Sequence, residues 1–303
     1  MLLIEPSVEI IEEKDPFKKI ELAGRTCYKS ESQITDASAI KFYNRLVDNK
    51  HTAMLEHATF VFEVDGATYL SAKSCHFLNC TQYHVNTPES TVRYRYLVSG
   101  NLRAINESGN FQLCSALAKV DPKLDYLNRA ADTKTYSAAK VVSLSDYSDL
   151  SEAEISAHRY TTMRFICDRG VTHELVRHRC FSFAQESTRY VNYSKLKDMY
   201  GIRFIRPAQF DSWNPESKEQ LTNALSCAEM YYHNLIKQGH TPDEARAVLP
   251  NALKTEIVVT GNDKEWQHFF DLRSKGTTGK PNPEMKKVAD IALDLYTNYY
   301  EIN

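Results

Sequence analysis

The stretch VRHRCFSFAQESTRYVNYS, residues 176–194, concentrates groups that could do chemistry. Arg177, Arg179 and Arg189 stand among the hydroxyls of Ser182, Ser187, Thr188 and Ser194, with His178 between the first two arginines. Val176, Phe181, Phe183 and Tyr190 supply the apolar filler of a half-buried element. With the chain extended at 177–179 and 187–189, residues two apart share a face, so Arg177 pairs with Arg179 and Ser187 with Arg189. A hydroxyl beside a guanidinium suits a phosphate or a carbonyl oxygen, because arginine makes forked, charge-assisted hydrogen bonds and stays charged when desolvated. The competing reading is an internal ion-pair cluster with Glu174, Glu186 or other acids. The chain holds 37 Lys and Arg against 39 Asp and Glu, a net charge of −2. Any anion site must therefore be local, and a general nucleic-acid binder, which carries a basic excess, is not expected.

His178, set between two arginines, is disfavoured as a cation and is expected as neutral imidazole. The alternative is a core histidine bonded to backbone. Cys75, His76, Cys80 and His84 fit no strong zinc spacing, and no metal is expected there. YRYLVSGNLRAI, 94–105, alternates aromatics and arginines; a strand with one wet face is preferred to a single-strand nucleic-acid platform. Seven cysteines, an odd number, point to reduced thiols in a cytoplasm. The N-terminus does not read as a signal peptide, and no run reaches the roughly 18 apolar residues of a membrane helix. Ten glycines without a GxGxxG argue against a Rossmann cofactor domain.

These residues need a frame, and 42% hydrophobic content over 303 residues is enough to bury one. Helices are expected at 35–50 (capped by Thr35 or Asp36), from Ser151 through a capping box to Gly170, from Asn214-Pro215 to Gly239, from TPDE at 241–244 to Pro250, after Asn262, and from Glu284 towards Tyr300. Strands are expected at 58–64, followed by a turn at Asp65-Gly66, at 90–98, ending at Ser99-Gly100-Asn101, at 202–207 and at 255–261. Mixed elements without strict βαβ alternation favour an α+β fold, a mixed or antiparallel sheet flanked by helices.

The order Arg177-His178-Arg179, seven residues, Ser187, then Arg189-Tyr190 resembles the signature of the flavin-dependent thymidylate synthases (ThyX). HTAMLEH (51–57), GRTCY (24–28), ARAVLP (245–250), Asn262 and WQHFFDLR ending at Arg273 resemble further elements of that family. The resemblance covers roughly 20–64 and 160–295 and implies a single catalytic domain over 1–303 with an insertion at about 67–157. It implies methylation of dUMP to dTMP with methylenetetrahydrofolate as carbon donor and NADPH as reductant through FAD, in a cytoplasmic homotetramer. It also implies site residues. Glu174, Arg177, Gln185, Glu186, Ser187, Thr188, Arg189, Arg246 and Arg273 would meet dUMP, with Arg273 as the catalytic group on the uracil carbonyl edge. Ala53, Arg177, His178, Arg179, Gln185, Asn262, Lys264 and His268 would meet FAD. Ala184-Gln185, Glu174 and Ala53 depart from the frequent family residues. A flavin- and nucleotide-binding relative with lost or altered activity is therefore one alternative, and a nucleic-acid-binding module is another.

Overall fold

The computed structural model describes residues 1–86, 92–128, 138–147, 149–195 and 201–302. Its strands are β1 (Leu2–Ile4), β2 (Ser7–Ile10), β3 (Thr59–Val64), β4 (Asn79–Asn86), β5 (Val92–Asn101), β6 (Ala139–Val142), β7 (Tyr160–Asp168), β8 (Ser182–Gln185), β9 (Arg203–Ile205) and β10 (Lys254–Asn262). They form two antiparallel four-stranded sheets, β2-β7-β10-β8 and β4-β5-β3-β6, and a parallel pair β1-β9. Helices flank both sheets, the α+β arrangement expected.

The first sheet positions the arginine segment. β10 runs against β7 from Lys254 opposite Asp168 to Asn262 opposite Tyr160, and against β8 from Ile257 opposite Gln185 to Thr260 opposite Ser182. One face, with Met163, Phe165, Ile257 and Val259, packs on Trp266, Phe269 and Phe270 of helix Asp263–Arg273 and on Met285, Val288 and Ala292 of helix Pro283–Ile302. Each fully buried large side chain there stabilises by about 1.5–3 kcal/mol. The other face sets Ala184 and Val258 against Ala23 of helix Pro16–Tyr28. The second sheet shares Phe62, Val64 and Val98 with Phe42 and Leu46 of helix Ser38–Asp48 and with Leu113 and Leu117 of helix Phe111–Val120.

Several expectations need correction. The Ser151 capping box is real, but its helix stops after Glu152–Ser156, and Met163 and Ile166 lie on the strand β7. β7 is central and largely buried on both faces, so it carries apolar residues at intervals that also read as a helical stripe. Asp65-Gly66 is not a turn: Asp65 Oδ1 accepts from Thr68 N and caps helix Gly66–Lys73. β5 continues to Asn101, held by pairing with β3, and Asn101 then caps the next helix. The expected cap at Thr35 or Asp36 gives way to Ala37, which makes no side-chain cap bond. The expected helix at TPDE is Pro242–Ala245, with a capping box between Thr241 and Glu244.

Candidate functional site

Residues 177–179 and 187–189 are not extended. Helix Arg169–Leu175 ends in a turn in which Arg177 N donates to the Glu174 carbonyl, His178 N to Leu175 and Phe181 N to His178. This turn exposes Arg177 and Arg179, and neither guanidinium meets a carboxylate among the described residues. Beyond β8, Tyr190 N and Val191 N both donate to the Ser187 carbonyl, which makes 187–191 a second turn. The hydrogen bonds within each turn replace the ladder partners that an extended chain would need.

The first turn gathers His178, Glu174 and Arg273. Arg273 Nε donates to His178 Nε2 at 3.0 Å, and Arg273 Nη1 pairs with Glu174 at 2.9 Å. The acceptor role leaves His178 Nε2 unprotonated. Burial, then Arg273, then His268 push its pKa down to about 4, so the ring is neutral near pH 7. Neutrality was expected from the flanking arginines in sequence; the structure assigns it to desolvation and to a residue 95 positions away. Phe269 stands at 5.2 Å and the exposed His268 at 6.1 Å, ring centre to ring centre.

The second turn gathers Thr188, Arg189 and Arg246. Arg246 Nη1 donates to Thr188 Oγ1 at 3.3 Å, and Asp243 pairs with Arg246 at 3.0 Å and Arg189 at 3.5 Å. Ser187 Oγ accepts from Arg189 N, and Ser187 N donates to the Cys27 carbonyl, which ties the turn to the end of helix Pro16–Tyr28. Tyr28 and Tyr190, both exposed, lie 5.3 Å apart beside it. Underneath, Glu186 is 1% exposed; it pairs with Lys254 at 3.0 Å and accepts from Tyr193 at 3.0 Å. Gln185 donates to Thr172 Oγ1 at 2.9 Å. Glu186 and Gln185 are thus committed to internal partners.

Within one chain, then, Arg189 and Arg246 meet, while Arg273 stands with His178 at the other end of β8, a strand spanning roughly 13 Å. Ala53 is exposed on the turn of 3-10 helix Thr52–His57, and Lys264 is exposed in the first turn of its helix. Asn262 is buried and caps that helix through Glu265 N.

A cleft of about 960 Å³ opens between the two sheets. Arg179, Ser182 and Asn262 line it from the first sheet, and Glu56, Phe77 and Arg103 from the other side. Phe181 lines it too, and Gly261 lets that ring rest directly on β10: a Cβ there would lie 2.2 Å from it. Of the residues expected at the flavin, Arg179 and Asn262 reach this cleft. The opposite wall was missed. Its residues are brought in by strand pairing of β4, β5 and β3, and no local pattern announces that.

A family model described as "Thymidylate synthase complementing protein" matches residues 9–76 and 104–299. The flavin-dependent thymidylate synthase of Geobacter sulfurreducens is 34% identical over 164 residues; the match takes in 54% of this chain and spans 65% of that protein's length. The flavin-dependent thymidylate synthase of Pyrococcus abyssi is 29% identical over 172 residues, 50% of this chain and 68% of that protein. Among solved structures, a UMP/dUMP methylase PolB from Streptomyces cacaoi bound with 5-Br dUMP aligns over 98% of this chain and 93% of its own, at 15% identity and a TM-score of 0.43. The two matched segments take in most of the sequence and include both arginine turns, and the chain belongs to the thymidylate synthase complementing protein family, the flavin-dependent thymidylate synthases.

Proposed function

We propose that the protein is a flavin-dependent thymidylate synthase that methylates dUMP to dTMP, with methylenetetrahydrofolate as carbon donor, NADPH as reductant and FAD as cofactor. The observation that carries this reading is the convergence of Arg189 and Arg246 at the turn of Thr188, where exposed Asp243 holds the two exposed guanidiniums side by side and a nucleotide phosphate would take its place. Ser187 supports that turn and acts as a positioning group rather than a nucleophile.

The donor set fits FAD. Arg177 and Arg179, without carboxylate partners among the described residues, suit its phosphates, while neutral His178 and the amide of Asn262 suit uncharged portions. Bound FAD would supply the hydride. Arg273 would bind the uracil carbonyl edge and stabilise negative charge there, so that C5 attacks without a covalent link to protein. Burial pushes the Cys27 and Cys80 thiols up to about 11 and raises Cys180 as well, so none of these three is a ready thiolate. The homotetramer is the assembly that the family resemblance implies, and in it a second copy would bring the Arg273 turn and the Arg246 turn to a common substrate. We read residues 1–303 as one cytoplasmic catalytic domain, with added structure at about 67–157. Among the described residues, no helix is long and apolar enough to cross a membrane.

One observation favours a second reading. Glu174 already neutralises Arg273, as it would in a relative that binds flavin and nucleotide with altered activity. Tritium release from C5-labelled dUMP, dependent on NADPH and the folate, separates the two. Release supports the synthase; a yellow protein that binds dUMP without release supports the altered relative.

A further inference from the structure

The two sheets repeat one pattern. The strand order β6-β3-β5-β4 matches β2-β7-β10-β8, and every pairing in both is antiparallel. After β3, Asp65 caps a helix through Thr68 N at 2.8 Å; after β7, Asp168 does the same through Val171 N at 2.7 Å. The turns that follow close alike, Leu78 N on the Cys75 carbonyl and Phe181 N on that of His178. β5 ends in Val98-Ser99-Gly100-Asn101 and β10 in Val259-Thr260-Gly261-Asn262, and each asparagine caps the next helix. Each glycine admits its turn: a Cβ would lie 2.6 Å from Leu78 at Gly100 and 2.2 Å from Phe181 at Gly261.

The contacts between these halves are reciprocal. His57, just before β3, meets Thr260 Oγ1 of the other half through Nδ1 at 2.9 Å. His158, just before β7, meets Ser99 Oγ of the first half through Nδ1 at 2.7 Å, and Thr81 Oγ1 through Nε2 at 2.9 Å. Ser99 and Thr260 hold equivalent places, so each half offers the same histidine to the same hydroxyl of the other, as across a two-fold interface. We propose that His57 and His158 are paired positioning residues, whose reciprocal bonds lock the two halves together and set the spacing of the cleft walls for the reaction. The proposal rests on the flavin-enzyme reading for the reaction it serves.

The joint is buried and lies directly behind the cleft. His57 and Ser99 are 0% exposed and His158 is 1% exposed, while Thr59, Tyr160 and Thr260 beside them line the cleft. Burial pushes the His57 ring down to about 3 and the His158 ring to about 4, so both are neutral near pH 7 and bring no charge into the joint. A buried hydroxyl or ring nitrogen that loses its partner keeps the full cost of its desolvation, so the joint resists opening. Ser99 and Thr81 lie outside the residues that the family model matches, so His158 finds its partners in a stretch that the model does not describe.

The test places a ketone-bearing amino acid at Leu70 and at His173, exposed and equivalent sites on the helices that follow β3 and β7, and couples spin labels there. Pulsed electron resonance reads the distance between the halves, and calorimetry reads FAD and dUMP binding. The wild-type protein should show one narrow distance. Ser99→Ala with Thr81→Val, which strips His158 of both partners, should lose it and weaken FAD binding about 5- to 10-fold. His57→Phe should do the same. dUMP binding to the flavin-free protein should not change, because the turn of Arg189 and Arg246 belongs to one half alone. Ser99→Thr with Thr81→Ser keeps both hydroxyls and should restore the wild-type values. A narrow distance retained in the stripped variant overturns the joint, and that variant carries the test alone where His57→Phe does not fold. A lost distance with unchanged FAD affinity overturns its part in the reaction. Lost distance and weakened FAD binding, in a protein that releases no tritium from dUMP, keep the joint and overturn the proposed function. Full tritium release with the distance unaltered in the stripped variant does the reverse.

Discussion

The sheet β4-β5-β3-β6 hides Phe62, Val64, Leu97 and Val98, whereas the sheet β2-β7-β10-β8 also hides Glu186 and Glu256, at 1% and 7% exposure, around Lys254. Lys29 joins that network at 2.9 Å from Glu256. A buried ion pair adds little stability over an apolar pair of similar size, because desolvation offsets most of the attraction. Its value here lies in position: Glu186 directly precedes the turn that carries Ser187, Thr188 and Arg189, and the network anchors that turn. The mainly apolar sheet is held by packing, with neutral hydrogen bonds such as His158 to Ser99 and Thr81 at its side; the charged one holds a particular loop in a particular place.

The largest effects should come from removing one member of each interior. Lys254→Met leaves two buried carboxylates short of a partner and should cost about 3–5 kcal/mol in urea unfolding at pH 7. Phe62→Ala, in the apolar sheet, should cost about as much through the cavity it leaves. The two separate on acidification. Burial pushes the Glu256 carboxyl up, but Lys254 and Lys29 outweigh it and hold its pKa at about 2 against an ordinary 4.5. The stability this lends is full above pH 4.5 and is lost as pH falls through about 2. The penalty of Lys254→Met should shrink over that window, while that of Phe62→Ala stays flat. Equal pH profiles for the two variants would erase the distinction between the sheets.

Next in size, Arg273→Ala should lower tritium release from C5-labelled dUMP by roughly 100- to 1000-fold, with flavin absorption retained. Arg246→Ala, on the other turn, should weaken dUMP binding by about 1.5–3 kcal/mol, the worth of a hydrogen bond to a charged group, read by calorimetry. A loss of flavin in Arg246→Ala would place the cofactor on the phosphate turn as well and end the division of labour between the two turns. The smallest effect belongs to a cap between the sheets: Ser151→Ala should cost about 1 kcal/mol in thermal unfolding and leave dUMP binding unchanged.

Local chemistry was readable wherever a few neighbouring residues decide the outcome. Asn214-Pro215 opens a 23-residue helix, Thr241 and Glu244 form a capping box, and Asn262 caps the helix that ends at Arg273. Local reading failed at β7. Ile155, Met163 and Ile166 suggested one helix, but burial on both faces of a central strand erases the alternation that marks a strand. It failed again at 177–179 and 187–189, where backbone bonds to 174, 175 and 187 curl segments whose side-chain pattern suited extension.

The amino-acid order by itself determined the unusual run of Arg177, His178, Arg179, Ser187 and Arg189, and with it the family, because residue types at fixed spacing survive any misjudged element. It also determined the caps at Ser151, Asn214, Thr241 and Asn262, since a cap is a contact between residues three apart, though not those at Ala37 and Asp65. Only the tertiary structure decided which groups meet. It set Arg273 against His178 and Glu174 across more than ninety residues, Arg246 against Thr188 across 58, and Phe77 across a cleft from Arg179. Such pairings depend on strand register and sheet packing, which are fixed by the burial of the whole chain and leave no mark on a short stretch of it.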